Sequence, residues 1–345
     1  MSGLARLAAI SAVGVRRLLL FGAIVALTGS GLGRADVARG PVAAQPAEPG
    51  DAPAASSVPR GVWAYLSLTK PRIILLLLIT ALGGMVLAAD GWPPLGTVVF
   101  TLIGGALAAG GANALNCYID RDIDGLMART TQRPIPAGEI APERALAFGV
   151  ALVLASLALF WLFVNPAAGL ISFGAMLYYV FVYSRWLKRS TPSNIVIGGA
   201  AGALPPLIGW VAVRGSLSLL AIWMFVIVFY WTPPHFWALS LLIKRQYERA
   251  RVPMLPIVRG DAETRRQIFW YSLLLVALTA VIVPLGLMGP LYLVLALGLG
   301  GLFVYYALRL WREGSSGAAR RLYRYSIYYL ALLFAAMVVD RQVSL

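Results

Sequence analysis

Within the stretch 111–139, GANALNCYIDRDIDGLMARTTQRPIPAGE, three oxygen-bearing side chains recur at intervals of four: Asn116, Asp120 and Asp124. On a helix each falls about 40° round from the last, so the three climb one face over roughly 12 Å. Asn113 lies one turn before Asn116, on nearly the same face. Two carboxylates flanked by amides form a hard-oxygen surface. Such a surface suits Mg²⁺, which takes one or two carboxylates and completes its shell with water and substrate phosphate. A helix end balanced by Arg121, Arg129 and Arg133 would show the same outline. The two asparagines inside an apolar run decide for chemistry, because polar groups there are costly and usually functional. Asp122 points some 160–200° away and is expected to matter less.

Arg129 and Arg133 follow directly, again four apart, with guanidinium forks that match phosphate oxygens. A second basic set, Tyr183, Lys188, Arg189 and Asn194, stands in YSRWLKRSTPSN. A third group is TPPHFWALSLLIKRQYE, 232–248, where His235 follows Pro233 and Pro234 among Tyr230, Trp231, Phe236 and Trp237. Aromatic residues in such a run mostly anchor it in lipid. A lone histidine there has three uses: packing partner, proton relay or ligand contact.

These groups need elements to hold them, and composition decides which. The chain has 345 residues, 60% hydrophobic and 12% charged. Soluble domains run near 45–50% and about 25%. A water-facing exterior cannot be built from so few charges, so this is a polytopic membrane protein. One cysteine, Cys117, and one histidine exclude an internal disulfide and any Cys- or His-rich metal centre. The net charge of +15 would suggest nucleic acid in a soluble chain. Here it reads as cytoplasmic loops obeying the positive-inside rule, with no nucleic acid involved.

Nine apolar segments are expected to span the bilayer: 73–89, 95–117, 145–164, 167–183, 195–213, 217–243, 268–288, 291–311 and 325–339. All must be helices, since lipid offers backbone amides no partner. Pro205–Pro206 and Pro233–Pro234 are expected to break the ladder inside two of them. From Lys70 onward, twenty-one Lys and Arg fall just before the first segment or after the even-numbered ones, against Arg214 and Arg341 on the other side. That bias places the acidic face and both basic sets at the cytoplasmic surface. Residues 1–60 stand apart as an extension: a modest apolar run, 18–27, then an Ala/Pro/Gly-rich linker, 35–59, that cannot support a core. The rest, 61–345, forms one domain.

At its motifs the chain resembles the intramembrane prenyltransferases of the UbiA superfamily. The pattern NxxxDxxxD stands as Asn116, Asp120 and Asp124. The segments LKRSTPSNIVIGGAAGALPPLIGW, 187–210, and TPPHFWALSLLIKRQYERARVPMLP, 232–256, resemble the haem-modifying subgroup of that family. The likeness runs from about Trp63 to Arg341. It implies a nine-helix bundle with the active site toward the cytoplasmic face of the inner membrane, a mitochondrial inner membrane being the alternative. It also implies transfer of farnesyl from farnesyl diphosphate to haem B, with Mg²⁺ on Asp120 and Asp124. Asn113, Arg129, Arg133, Tyr183, Lys188, Arg189 and His235 would then meet the substrates, His235 facing the haem. The bilayer and the downstream haem A synthase are the implied partners. Many members carry a second Asp-rich motif after the sixth span, whereas this chain has Lys244, Arg245, Gln246, Tyr247 and Glu248. That leaves the number of Mg²⁺ ions open. A UbiA-type enzyme acting on a quinone precursor or chlorophyllide would be expected to keep the second motif. A transporter would be expected to place its polar groups near the midplane.

Overall fold

The computed structural model describes residues 61–89 and 91–344, and these contain helices and no strand. The extension 1–60, with its apolar run and linker, lies outside the described residues. A short helix α1 (Val62–Thr69) turns at Lys70 into α2 (Pro71–Ala88). Then come α3 (Leu95–Ile119), the single turn α4 (Arg121–Asp124), α5 (Pro142–Phe163) and α6 (Pro166–Ser190). The fifth span consists of α7 (Asn194–Ala203) and α8 (Pro205–Arg214), and the sixth is α9 (Leu219–Leu242). Short α10 (Lys244–Arg249) and α11 (Leu255–Val258) lead to α12 (Gly260–Val281), α13 (Pro290–Glu313) and α14 (Ser316–Ser344).

Eight of these segments are long and apolar enough to cross a membrane, counting α7 and α8 as one. The expected seventh span, 268–288, is where expectation and structure differ. Its helix, α12, starts earlier, with Asp261, Glu263, Arg265 and Arg266 in its first two turns, and stops at Val281. Pro284 cannot extend a helix and Gly286 adopts φ 70°, so the rest of the apolar run becomes a turn. The fold is nonetheless the multi-pass helical bundle that the composition demands.

Of the two proline pairs, Pro205–Pro206 divides its span as expected. Pro233–Pro234 does not: α9 runs unbroken through both. Proline's fixed φ is already helical, and what is lost is the donor for the carbonyls of Phe229 and Tyr230. Burial of residues 231–235 among neighbouring helices holds the segment straight enough to continue.

Lipid tails are as apolar as the helices, so association rests on close packing of small residues. The contact of α2 with α8 is of this kind. A Cβ on Gly84 would overlap the carbonyl oxygen of Pro206, and one on Gly209 that of Ala81, so the two backbones meet directly. Elsewhere α3 packs on α5, and α9 packs against α7, α12 and α14. Leu154, Leu162 and Val294 remain exposed on the outside, where lipid would cover them. The Lys70 turn, the end of α3 and the end of α6 meet at the basic end of the bundle.

Candidate active site

The expected single helix face is interrupted at Asp120, because α3 ends at Ile119 and Asp124 lies on the separate turn α4. Asp120 closes α3 and Asp124 lies one turn on, its amide donating to the Asp120 carbonyl at 2.8 Å. Both side chains are fully buried. Lys188 Nζ donates to Asp120 Oδ2 at 2.5 Å and Arg133 to Asp124 Oδ2 at 2.6 Å. Asn116 Nδ2 donates to Asp120 Oδ2 at 2.8 Å and to Ser184 Oγ at 3.0 Å. Each carboxylate keeps one buried oxygen, Oδ1, with no hydrogen-bond partner. A buried anionic oxygen without a donor is costly. Two of them a turn apart, beside cations that match phosphate, fit a Mg²⁺ ion whose shell a diphosphate would complete. Among the described residues no cluster of three or more His, Cys, Asp or Glu could hold a metal.

Lys70 belongs to this cluster, although sequence reading counted it only as a loop charge. Its Nζ donates to Asn116 Oδ1 at 2.8 Å, which fixes the amide so that its NH₂ faces Asp120. Asn113 Nδ2 donates to the carbonyl of Thr69 at 2.9 Å, tying down the same turn. Lys70 adopts a left-handed backbone, φ 54°, which costs a non-glycine residue about 1–2 kcal/mol. Strain of this sort persists where neighbours over-determine it. Burial pulls its ammonium down to about 8, opposed by nearby acidic groups and helped by Arg133 and Lys188. The two intramembrane asparagines were the available signal; their partners 44 and 46 residues away were not legible.

From the other side, α6 widens into a π-helix over Tyr178–Leu187. Such stretches are rare and frequently mark functional sites. Ser184 Oγ donates to the carbonyl of Tyr179, five residues back, and Lys188 emerges buried at the segment's end. Tyr183 stacks on Tyr179 with centroids 5.4 Å apart. Arg189 grips Asp122 with both arms at 2.7 Å, holding that carboxyl below the usual range, and stands 3.7 Å from Asp120 Oδ1. Asn194 is wholly buried with both amide atoms unpaired. Arg129 is exposed, and its backbone N–H alone is tied down, donating to Gln246 Oε1 at 3.3 Å. Lys244 pairs with Asp261 at 2.9 Å and Glu248 at 3.9 Å, so the segment after α9 spends its charges on itself.

His235 stands apart from the acidic face, held between α9 and α14. Its ring stacks on Trp231 at 4.4 Å and on Tyr323 at 4.9 Å. Nδ1 is 2.6 Å from Ser326 Oγ, which itself donates to the Tyr323 carbonyl. Trp231 Nε1 donates to the Ser326 carbonyl at 2.8 Å. Occupation of Nδ1 leaves Nε2 as the nitrogen for a ligand.

Comparison with known proteins places the chain in a family. Residues 77–335 match the UbiA prenyltransferase family. The protoheme IX farnesyltransferase of Roseiflexus castenholzii is 53% identical over 279 residues, 81% of this chain and 52% of that protein. The one from Symbiobacterium thermophilum is 52% identical over 278 residues, 80% of this chain and 93% of that protein. The chain thus spans about half the length of the first relative and nearly all of the second. Among solved structures, a digeranylgeranylglyceryl phosphate synthase aligns with a TM-score of 0.68 at 21% identity, covering 82% of this chain and 99% of that one. A UbiA homolog from Archaeoglobus fulgidus bound to DMAPP and Mg²⁺ aligns at 0.59 and 20% identity, over 80% and 99%. Those two likenesses are of fold. With the family matched over most of its length and relatives about half identical, the chain belongs to the UbiA prenyltransferase family.

Proposed function

We propose that the protein transfers the farnesyl group of farnesyl diphosphate to a vinyl group of haem B, with addition of water, giving haem O for haem-copper oxidase assembly. The observation that carries the reading is the buried pair Asp120 and Asp124, each with one oxygen that accepts no hydrogen bond, ringed by Lys70, Arg133 and Lys188. Relatives about half identical, named protoheme IX farnesyltransferase, support haem as acceptor and farnesyl as donor. A fold relative bound to DMAPP and Mg²⁺ supports a prenyl diphosphate taken with metal.

In this reading Asp120 and Asp124, each with one oxygen that accepts no hydrogen bond, would hold Mg²⁺. When bound, the ion neutralises charge developing on the departing diphosphate. Arg133, Lys188 and Lys70 donate to the same oxygens, and Asn116 keeps Asp120 turned toward them. The bond between the allylic carbon and the diphosphate oxygen breaks, leaving an allylic cation. Tyr183 and Tyr179, stacked on one another in the π-helical segment that also carries Ser184, would offer that cation the negative quadrupole of a ring face. Burial keeps stray water from it. The vinyl group attacks the cation, and water adds to the remaining carbon with loss of a proton. His235 meets the haem on the α9 and α14 side, Ser326 orienting its ring so that Nε2 is the ligand atom. Asn113 acts through the Lys70 turn, and Arg129 and Arg189 serve the approach of the diphosphate from the basic end.

The basic end faces the cytoplasm, the membrane is the cell's inner membrane, and haem A synthase consumes the product. Residues 61–345 are the catalytic domain and 1–60 an extension to it. The test is reconstitution of the purified protein in lipid with haem B, farnesyl diphosphate and Mg²⁺, followed by chromatography of the haems. Haem O is expected. Prenylation of a quinone precursor with haem B left unchanged would replace this reading by another UbiA-type activity.

A further inference from the structure

The cluster has a charge count that bears on how many metal ions it accepts. Asp120, Asp122 and Asp124 are joined by hydrogen bond or ion pair to Lys188, Arg189 and Arg133, and Lys70 reaches Asp120 through Asn116. Three carboxylates against four cations leave one net positive charge around two fully buried carboxylates. Lys188 and Arg133 each engage an Oδ2 atom, so the cations already neutralise the groups a metal would use. Even so, Oδ1 of both aspartates has no hydrogen-bond partner.

A divalent ion entering alone would raise the local charge to three positive, in surroundings where charges act strongly on one another. A fully ionised prenyl diphosphate, with about three negative charges, would leave two negative if it entered alone. Together the two bring the cluster to neutrality. A second divalent ion would restore two positive charges. No carboxylate is placed for it after α9, where Glu248 and Asp261 are paired with Lys244. We infer that the site takes a single divalent cation, and takes it together with the diphosphate, Lys70, Arg133 and Lys188 standing as fixed counter-ions where a second metal would otherwise be required. This rests on the prenyl diphosphate reading above.

Binding can be measured without turnover. The full chain in lipid nanodiscs is dialysed to equilibrium against Mn²⁺ with and without farnesyl thiodiphosphate, a slow-reacting analogue, and both ligands are counted per protein. One Mn²⁺ per analogue is expected, with Mn²⁺ alone bound about 100-fold more weakly. Lys188→Gln and Arg133→Gln should shift the two ligands in opposite directions: Mn²⁺ alone tighter, the analogue roughly tenfold or more weaker. A folding defect would weaken both, and Lys188→Arg, which keeps the charge, should restore the wild-type pattern. Two Mn²⁺ per analogue, or Mn²⁺ affinity indifferent to the analogue, would overturn the inference and leave the function standing. Failure to bind the analogue under any condition would overturn both.

Discussion

Asn116 shows how the geometry of a single residue says more than a list of metal ligands. Its Oδ1 is taken by Lys70, and its NH₂ serves Asp120 and Ser184. In the proposed reading it aims a carboxylate and leaves the metal to Asp120 and Asp124. Asp120→Asn and Asp124→Asn remove the oxygens proposed to hold Mg²⁺ and should lower farnesyl transfer by about 10²–10³ or more, with the protein still inserted. Asp122 is exposed and satisfied by Arg189, so Asp122→Asn should cost less than tenfold; equal losses at all three positions would make the acidic face a charge cap. Lys70 is charged below about 8 and neutral above it. Because the cation is the form that attracts diphosphate, affinity for the farnesyl analogue should fall about tenfold as pH rises through that value. Lys70→Arg should carry the fall to higher pH, and an unchanged profile would remove Lys70 from the site. On the haem side, Ser326→Ala frees Nδ1 of His235 and should weaken haem binding roughly tenfold, leaving the farnesyl analogue bound as before. His235→Gln keeps bulk and polarity but ligates iron poorly, so it should lose haem more fully; normal haem O formation by it would make the histidine a packing residue. The aspartate face was legible because a spacing of four survives in any helix. Lys70 and Ser326 were not, because a tertiary turn and a neighbouring helix supply them.

Elements explain why these side chains arrive where they do. The π-helical part of α6 leaves no mark in composition, since the same residues would make an ordinary helix. Its register becomes visible only through Ser184 meeting Asn116 and Lys188 meeting Asp120. The sequence predicts a break at each proline pair, and only Pro205–Pro206 is one. The difference lies in what surrounds each pair, which the dipeptide itself does not encode. The contact of α2 with α8 was likewise hidden, because Gly84 and Gly209 stand among 35 glycines in the chain. It has a direct consequence, since α2 begins at the Lys70 turn. Gly209→Ala places a methyl against the Ala81 carbonyl and should cost about 1–3 kcal/mol. Thermal unfolding of the detergent-solubilised protein should show it as a lower transition temperature. Gly202, which has open space around its Cβ position, is the control, and Gly202→Ala should leave the transition within about 0.5 kcal/mol of wild type. Equal effects of the two would mean that the close approach is not what joins these spans.

At the scale of the molecule, the arrangement depends on which side of the membrane the basic end faces. The spans were legible from hydropathy alone, with α12 the exception because its first turns carry four charges. Orientation was legible only through the loops, where twenty-one Lys and Arg stand against two. The structure brings the Lys70 turn, the end of α3 and the end of α6 to one end, so a single test of sidedness locates the whole site. Cys117 is buried and is the chain's one cysteine, which gives a quiet background for labelling. Ala262 is exposed in the first turn of α12, and Ser216 is exposed beside Arg214 at the opposite end. The positive-inside rule predicts that Ala262→Cys reacts with a membrane-impermeant maleimide only after the cytoplasmic face is opened. Ser216→Cys should react in intact cells or spheroplasts without such treatment. Neither position belongs to the buried cluster, and both substitutions should leave haem O formation within about twofold of wild type, so a labelled protein can be shown to be a working one. The reversed pattern would put Asp120, Asp124 and their cations on the outer face, where the diphosphate would have to be supplied from outside the cytoplasm.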